Sequence, residues 1–292
     1  MRSRTRLPLE IRIRPSHRDH RFEGRTVLPA VEALQLLAVS VQSQWPDRDV
    51  HWMMDALFPR FLFIEDGDDS LEAVAEIQID EKENLIASLL TLIPSASGRV
   101  TRMKEHVRVC FPQIRPDAEP LPFAAASRLD GACFEIAPDR LYPELIPFGP
   151  AFQNVSGVLR LTVHGAAAQI RAASHPQPPV PLGSPFPMDA ALHCACAWGQ
   201  RYAGAVAFPV GFDKRFVFRP TVAGEIYFTR IIPFRRDKEP LVFNLWIYDL
   251  GGMLHEAILG MAMRDVSHGR LKPPAWIRTS SIYEGIKDQS CA

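Results

Sequence analysis

Two stretches decide how this chain folds: VLPAVEALQLLAVSVQSQ, from Val27 to Gln44, and MDAALHCACAWGQRYA, from Met188 to Ala203. In the first, Val31, Leu34, Leu37, Ala38 and Val41 recur at helical spacing. Pro29 stands where the start of a helix tolerates a proline. The second stretch predicts a helix from near Met188 that is apolar on most faces. A helix of this kind must be covered, and a curved antiparallel sheet wrapped around it does so.

Strand-like runs follow each helix. After the first come RFLFI, SLEAVAEIQI, ENLIASLLTLI and HVRVCF, broken by EDGDD, DEKE and SASGR, which read as hairpin turns. After the second come FDKRFVFRP, EIYFTRIIPF, LVFNLWIYDL and LHEAILGMAMRDV, rich in β-branched and aromatic residues. A strand over Leu7 to Arg14 precedes the first helix; VSGVLRLTV and AAAQIRAAS precede the second. The chain therefore states one plan twice. The pattern predicts an α+β double hotdog: two long helices, each wrapped by a curved antiparallel β-sheet. The expected division is an N-terminal hotdog over residues 1–111, a linker over 112–134, a C-terminal hotdog over 135–270 and a tail over 271–292. The linker begins in the proline-rich PQIRPDAEPLP, and weak periodicity predicts a loosely packed tail.

Composition narrows the function. Thirty-three basic residues balance thirty-three acidic ones among 292, which gives no global attraction to nucleic acid or an anionic membrane. The Arg-rich start, with Arg2, Arg4, Arg6, Arg12 and Arg14, alternates as a half-exposed strand does rather than as a targeting peptide. The longest apolar run, LIASLLTLIP from Leu85, is about half the length of a membrane span. Five scattered cysteines, Cys110, Cys133, Cys194, Cys196 and Cys291, point to free thiols in a reducing cytoplasm. Cys194 and Cys196 are two apart on a helix and so face apart, which favours small buried side chains over a shared metal.

The chemistry-bearing residues begin with DHRFEGRTVLP. His20 is followed four residues later by Gly24 and five further on by Pro29, whereas Arg21 stands four residues after His17. PFGPAFQNVSGV then carries Phe148, Gly149, Pro150, Phe152 and Gln153; FPMDAALH sets Asp189 four residues before His193; FPVGF spans Phe208 to Phe212. In this order the four segments resemble the signatures of dehydratase domains of polyketide synthases and related fatty-acid synthases. The resemblance runs from roughly Leu7 to Val266. It implies one active site between the two hotdogs, with His20 from one half and Asp189 from the other. It also implies a β-hydroxyacyl thioester substrate, carried by the phosphopantetheine of an acyl carrier protein or by coenzyme A. Ketosynthase and ketoreductase are implied as further partners. No cofactor, metal, nucleic acid or membrane is expected, and the protein is expected to be a monomer or homodimer.

The elimination explains these residue types. A neutral imidazole suits removal of a weakly acidic α-proton near neutral pH. A carboxylic acid suits protonation of the departing hydroxyl. The helix dipole favours the charged form of Asp189 and burial the neutral one, so the chemistry demands a dry pocket. His193, one turn later on the same face, is placed to orient that carboxyl group or a bound water. Amides around Gly24 and after Pro29 are the expected donors to the thioester oxygen. One departure stands out: the resembled family carries tyrosine where this chain has Phe148, and Tyr142 lies six residues earlier.

Each residue also has a plainer reading: His20 as a surface or capping residue, Asp189 as a helix N-terminal carboxylate, the Gly-Pro-x-Phe segment as pocket wall. Asp189 and His193 with His20 could instead ligate a metal, although no further residue shows ligand spacing. Two alternatives to the dehydratase stay open: the same fold acting as a cyclase or isomerase on an acyl thioester, and a non-catalytic double hotdog that binds acyl carrier protein.

Overall fold

The structure is a computed structural model that describes residues 4–94, 101–118, 120–174, 180–235 and 239–279. The first half runs β1 (Arg4–Arg12), β2 (Arg21–Phe22), β3 (Arg25–Val27), α1 (Ala30–Gln44), β4 (Trp52–Leu57), β5 (Phe63–Ile64), β6 (Ser70–Ile79), β7 (Leu85–Pro94) and β8 (Thr101–Phe111). A connector with the short helix α2 (Phe123–Ala126) follows. The second half runs β9 (Phe134–Ile136), α3 (Pro138–Glu144), β10 (Leu159–Thr162), β11 (Gly165–Arg171), α4 (Phe186–Trp198), β12 (Phe208–Val217), β13 (Ile226–Arg235), β14 (Leu241–Asp249) and β15 (Leu254–Arg264), closing on α5 (Ala275–Thr279).

α1 matches the stretch read from its periodicity, with Val31, Leu34, Leu37, Ala38 and Val41 all buried. Pro29 is its N-cap, and the Pro29 carbonyl accepts hydrogen bonds from the N–H groups of Glu32 and Ala33. α4 starts two residues before Met188, and every one of its side chains is buried. A helix buried on every face has no solvent side to spare, so α4 packs against β11, β13 and β14, while α1 packs against β6, β7 and β8.

The two halves repeat one topology. The strand after each long helix, β4 or β12, pairs with the last strand of its half, β8 or β15. The next long strand, β6 or β13, pairs with a strand that precedes the helix, β1 or β11. β4 and β12 then pair antiparallel with each other, from Gly211 opposite Leu57 to Phe216 opposite Trp52. Twelve strands thus form one continuous sheet, in the order β1-β6-β7-β8-β4-β12-β15-β14-β13-β11-β10-β9. This is a double hotdog, joined through β4, a strand whose WMMDAL sequence has no alternation to announce it.

The halves are also tied below the sheet. Gln35 on α1 donates to the Gly183 carbonyl at 2.6 Å and accepts from the Leu182 N–H at 3.3 Å. Within the second half, Arg215 on β12 holds Glu256 on β15 at 2.8 Å, with the two side chains only 1 % and 0 % exposed. A buried pair of this kind costs desolvation on both sides and is stable only while both partners remain.

Two segments differ from expectation. The proline-rich connector is an ordered strap across the outer face of the second half. Leu121 and Phe123 pack against the cluster of Phe216, Trp246 and Tyr248, and the Tyr248 hydroxyl donates to the Leu121 carbonyl. The tail is packed as far as Thr279: Ile277 is fully buried, and Arg140 lies 3.6 Å over the Trp276 ring. Residues 280–292, with Cys291, lie outside the described residues. Of the other cysteines, Cys194 and Cys196 are buried as expected. Among the described residues, no helix is long and apolar enough to cross a membrane.

Candidate active site

Between α1 and α4 lies a cavity of about 640 Å³, and its wall carries His20, Phe148, Asp189 and His193 together. The rest of the wall is mainly apolar, from Phe22, Val27, Leu28, Val31, Phe58, Leu62, Leu89, Ile146, Leu192, Phe208 and Met263. Such a lining favours an apolar ligand group.

His20 follows a 3-10 turn (Pro15–Asp19) and leads into the β2–β3 hairpin. Its Nδ1 lies 2.9 Å from the Val27 carbonyl oxygen. A carbonyl only accepts, so Nδ1 carries the proton and the Nε2 lone pair is left for the cavity. The His20 ring stacks on Phe148 at 4.5 Å and meets the edge of Phe152 at 5.0 Å. Burial holds the imidazole below its ordinary pKa of 6.5, and the charge of Asp189 opposes that shift only in part. His17 is committed elsewhere. Its Nδ1 accepts from the Arg14 N–H at 3.1 Å, and its Nε2 donates to Glu32 at 2.7 Å. Arg14 binds the same Glu32 oxygen. This cluster, with His17 and Glu32 buried, braces the first turn of α1, so His17 has no nitrogen free for chemistry.

Asp189 lies in the first turn of α4 and is 5 % exposed. His193 Nε2 stands 3.0 Å from Asp189 Oδ2 without hydrogen-bond alignment, and both atoms are buried without a bonded partner. An unsatisfied buried carboxyl oxygen costs about 1–3 kcal/mol. A ligand hydroxyl in the cavity would relieve that cost. Among the described residues, no three His, Cys, Asp or Glu side chains stand as a metal-holding group.

The remaining candidates divide. Gly24 does not line the cavity. It is the second residue of a two-residue hairpin turn, with φ +80° after Glu23 at φ +48°, and a Cβ there would meet nothing within 4 Å. Its glycine answers a backbone requirement of the turn, which corrects the expectation of a donor closely approaching substrate. Ala30 and Val31, whose N–H groups precede the hydrogen-bond ladder of α1, do line the cavity. Pro29 sets the start of that helix. Gly149, Pro150 and Phe152 lie behind the wall: Gly149 hydrogen-bonds the Asp19 carbonyl, and Phe152 is fully buried against the His20 ring. Phe148 alone of that segment faces the cavity, touching both histidines. Tyr142 does not replace the missing hydroxyl in the wall. It sits behind His193, its oxygen 3.5 Å from His193 Nδ1 and accepting from the Val155 N–H at 2.7 Å.

Several residues of the site carry no signal that spacing could reveal. Cys196 extends the α4 face of Asp189, Leu192 and His193, and burial pushes its thiol up to about 11. His106 on β8 forms part of the wall as a neutral ring held by Phe61 and Thr91. Arg21, Arg60, Arg264 and His268 stand exposed at the rim, with Glu239 and Asp265. The rim hairpin β2–β3 is clasped to the second half by Arg270, which holds Glu23 at 2.9 and 3.0 Å.

Fold and cavity together define a double-hotdog protein with an apolar cavity between its halves, lined by His20 from one and Asp189 from the other. Residues 135–273, which comprise the second half, match the family model described as the polyketide synthase dehydratase N-terminal domain. The match covers just under half of the chain and shows the second half to be similar to that family. His20 lies outside the matched stretch. No curated protein sequence matches the chain. Among solved structures, a trans-AT polyketide synthase dehydratase domain from Brevibacillus brevis superposes with a TM-score of 0.71 at 15% identity, covering 90% of this chain and 94% of that one. The dehydratase domain of PpsC from Mycobacterium tuberculosis, in complex with C12:1-CoA, gives 0.65 at 20% identity, covering 89% and 93%. The dehydratase domain of a mycocerosic acid synthase-like polyketide synthase gives 0.68 at 15%, with coverage of 89% and 93%.

Proposed function

We propose that the protein eliminates water from a β-hydroxyacyl thioester, with His20 as base and Asp189 as acid. The observation that carries this reading is the convergence of a neutral imidazole and a buried carboxyl group, one from each half, on one apolar cavity. His20 Nε2 takes the α-proton. The Cα–H electron pair becomes the second bond to Cβ, the Cβ–O bond breaks, and the hydroxyl leaves with the proton of Asp189 as water. The products are an enoyl thioester, an imidazolium and a carboxylate, and proton return from His20 to Asp189 resets the site. The N–H groups of Ala30 and Val31 stabilise negative charge on the thioester oxygen. No electron leaves or enters, so the step needs no redox cofactor.

The base must be neutral to act, and burial lowers its pKa from 6.5. Activity is therefore retained as pH falls through 6.5 and lost only further down. A kcat/KM profile with its acidic limb below 6.5 is the expected result; a limb above 6.5 would contradict His20 as the base.

The exposed Arg21, Arg60 and Arg264 fit the phosphate of a phosphopantetheine or coenzyme A arm entering the cavity, and PpsC, a structural neighbour, holds an acyl-CoA. Charge-assisted bonds to phosphate contribute roughly 1.5–3 kcal/mol. Replacing Arg60 and Arg264 together by glutamate should raise KM for carrier-linked substrate roughly tenfold or more. KM for an N-acetylcysteamine thioester, which has no phosphate, should stay unchanged. Equal effects on both substrates would remove the phosphate from the proposal.

A further inference from the structure

Asp19, next to His20 in sequence, makes its strongest contacts in the other half of the molecule. Its backbone carbonyl accepts from the Gly149 N–H at 2.8 Å, and its side-chain Oδ2 accepts from the Ala151 N–H at 2.9 Å. The fit leaves no spare room: a Cβ on Gly149 would lie 2.3 Å from Asp19 Oδ1. Between the two bonded amides the chain turns through Pro150, and the rings flanking this turn, Phe148 and Phe152, are those that grip the His20 ring. The other side of His20 is fixed within its own half, by the Val27 carbonyl on Nδ1 and the Val27 N–H on the His20 carbonyl.

We infer that Asp19 is the positioning residue of this site: it clamps the histidine-bearing loop of the first half onto the Gly-Pro-x-Phe turn of the second and so fixes His20 against Asp189. The inference rests on the acid–base roles proposed above. The clamp explains why Gly149 is glycine, since any side chain would displace the Asp19 carboxyl. It also gives the Phe148 ring a function that needs no hydroxyl, as one wall of the slot that holds the imidazole. Asp19 touches no reacting atom, so its effect must pass through the position of the His20 ring. A base displaced by about 1 Å can cost about 100-fold in rate.

The test uses the full chain with Asp19→Ala and Asp19→Asn. Asparagine keeps an oxygen that accepts from the Ala151 N–H; alanine does not. With a 3-hydroxyacyl thioester, Asp19→Ala should lower kcat roughly 10- to 100-fold with KM changed less than about threefold. The acidic limb of the pH profile should not move, and Asp19→Asn should stay within about threefold of the parent. The His20 Hε1 proton resonance, displaced by the ring currents of Phe148 and Phe152, should lose that displacement in Asp19→Ala and keep it in Asp19→Asn. A folded Asp19→Ala protein with unchanged kcat, or an Asp19→Asn as damaged as alanine, would overturn the clamp. If the parent protein dehydrates no thioester, the proposed reaction fails, and the resonance measurement still decides the clamp by itself.

Discussion

His20→Ala and Asp189→Asn are each expected to lower the rate of enoyl formation from a 3-hydroxyacyl thioester by about 10²- to 10⁴-fold, the usual worth of a positioned acid or base. Both should leave the protein folded. His20 packs between aromatic rings at the cavity edge, where alanine adds space without clash. Asparagine keeps the shape of Asp189 and removes only the transferable proton. Because both groups act in one step, the double substitution should cost little more than the worse single one. The same pair of variants separates the enzyme from a non-catalytic scaffold: a protein that only binds acyl carrier protein would keep its function in both. An Asp189→Asn enzyme with more than about a tenth of parental turnover would show that the proton for the leaving hydroxyl comes from another group. Isomerised or cyclised product without loss of water would keep the site and replace the reaction.

Gly211→Ala should be the most damaging single methyl group in the seam between the halves. Gly211 belongs to β12 and pairs with Leu57 on β4 and with Ala262 on β15, beside a bulge at Pro209. A Cβ there would stand 2.2 Å from the Ala56 carbonyl oxygen, a backbone atom fixed by the ladder. The strands must part or the bulge must move, at a cost of roughly 3 kcal/mol, within the range of strained or overpacked positions. The neighbouring residues Phe58 to Leu62 and Phe208 to Val210 line the cavity, so turnover should fall together with stability. Urea unfolding monitored beside kcat measures both. A loss below about 0.5 kcal/mol, the scale of an ordinary surface substitution, would show that the seam yields easily and does not set the chamber.

The parts of the fold that were legible in the sequence share one property: they depend on near neighbours. α1 follows from the spacing of Val31, Leu34, Leu37, Ala38 and Val41, and β6 from the alternation in SLEAVAEIQI. β4 was not legible. It is short, it has Asp55 in a left-handed conformation, and its role is to meet β12 from the far half. The strap over Trp246 and Tyr248 was hidden for a related reason. Its prolines signal an extended chain, and nothing in that signal says which surface the chain will cover.

The candidate site divides in the same way. The motifs around His20 and Asp189 named the two groups, and the identity of the residues determined what chemistry they can do. Which nitrogen of His20 is free, where His17 is engaged, and why Gly24 is a turn rather than a cradle were decided by the Val27 carbonyl, by Glu32 and by backbone angles. Asp19 shows the division most clearly. Beside His20 it reads as one more acidic residue, and only the folded chain brings it to Gly149 and Ala151. Sequence by itself determined the two helices and the repeated plan and singled out His20 and Asp189, because periodicity and residue chemistry are local. The single sheet, the cavity between the halves and the set of the imidazole within it were decided by tertiary structure, because each arises from hydrogen bonds and packing between residues far apart along the chain.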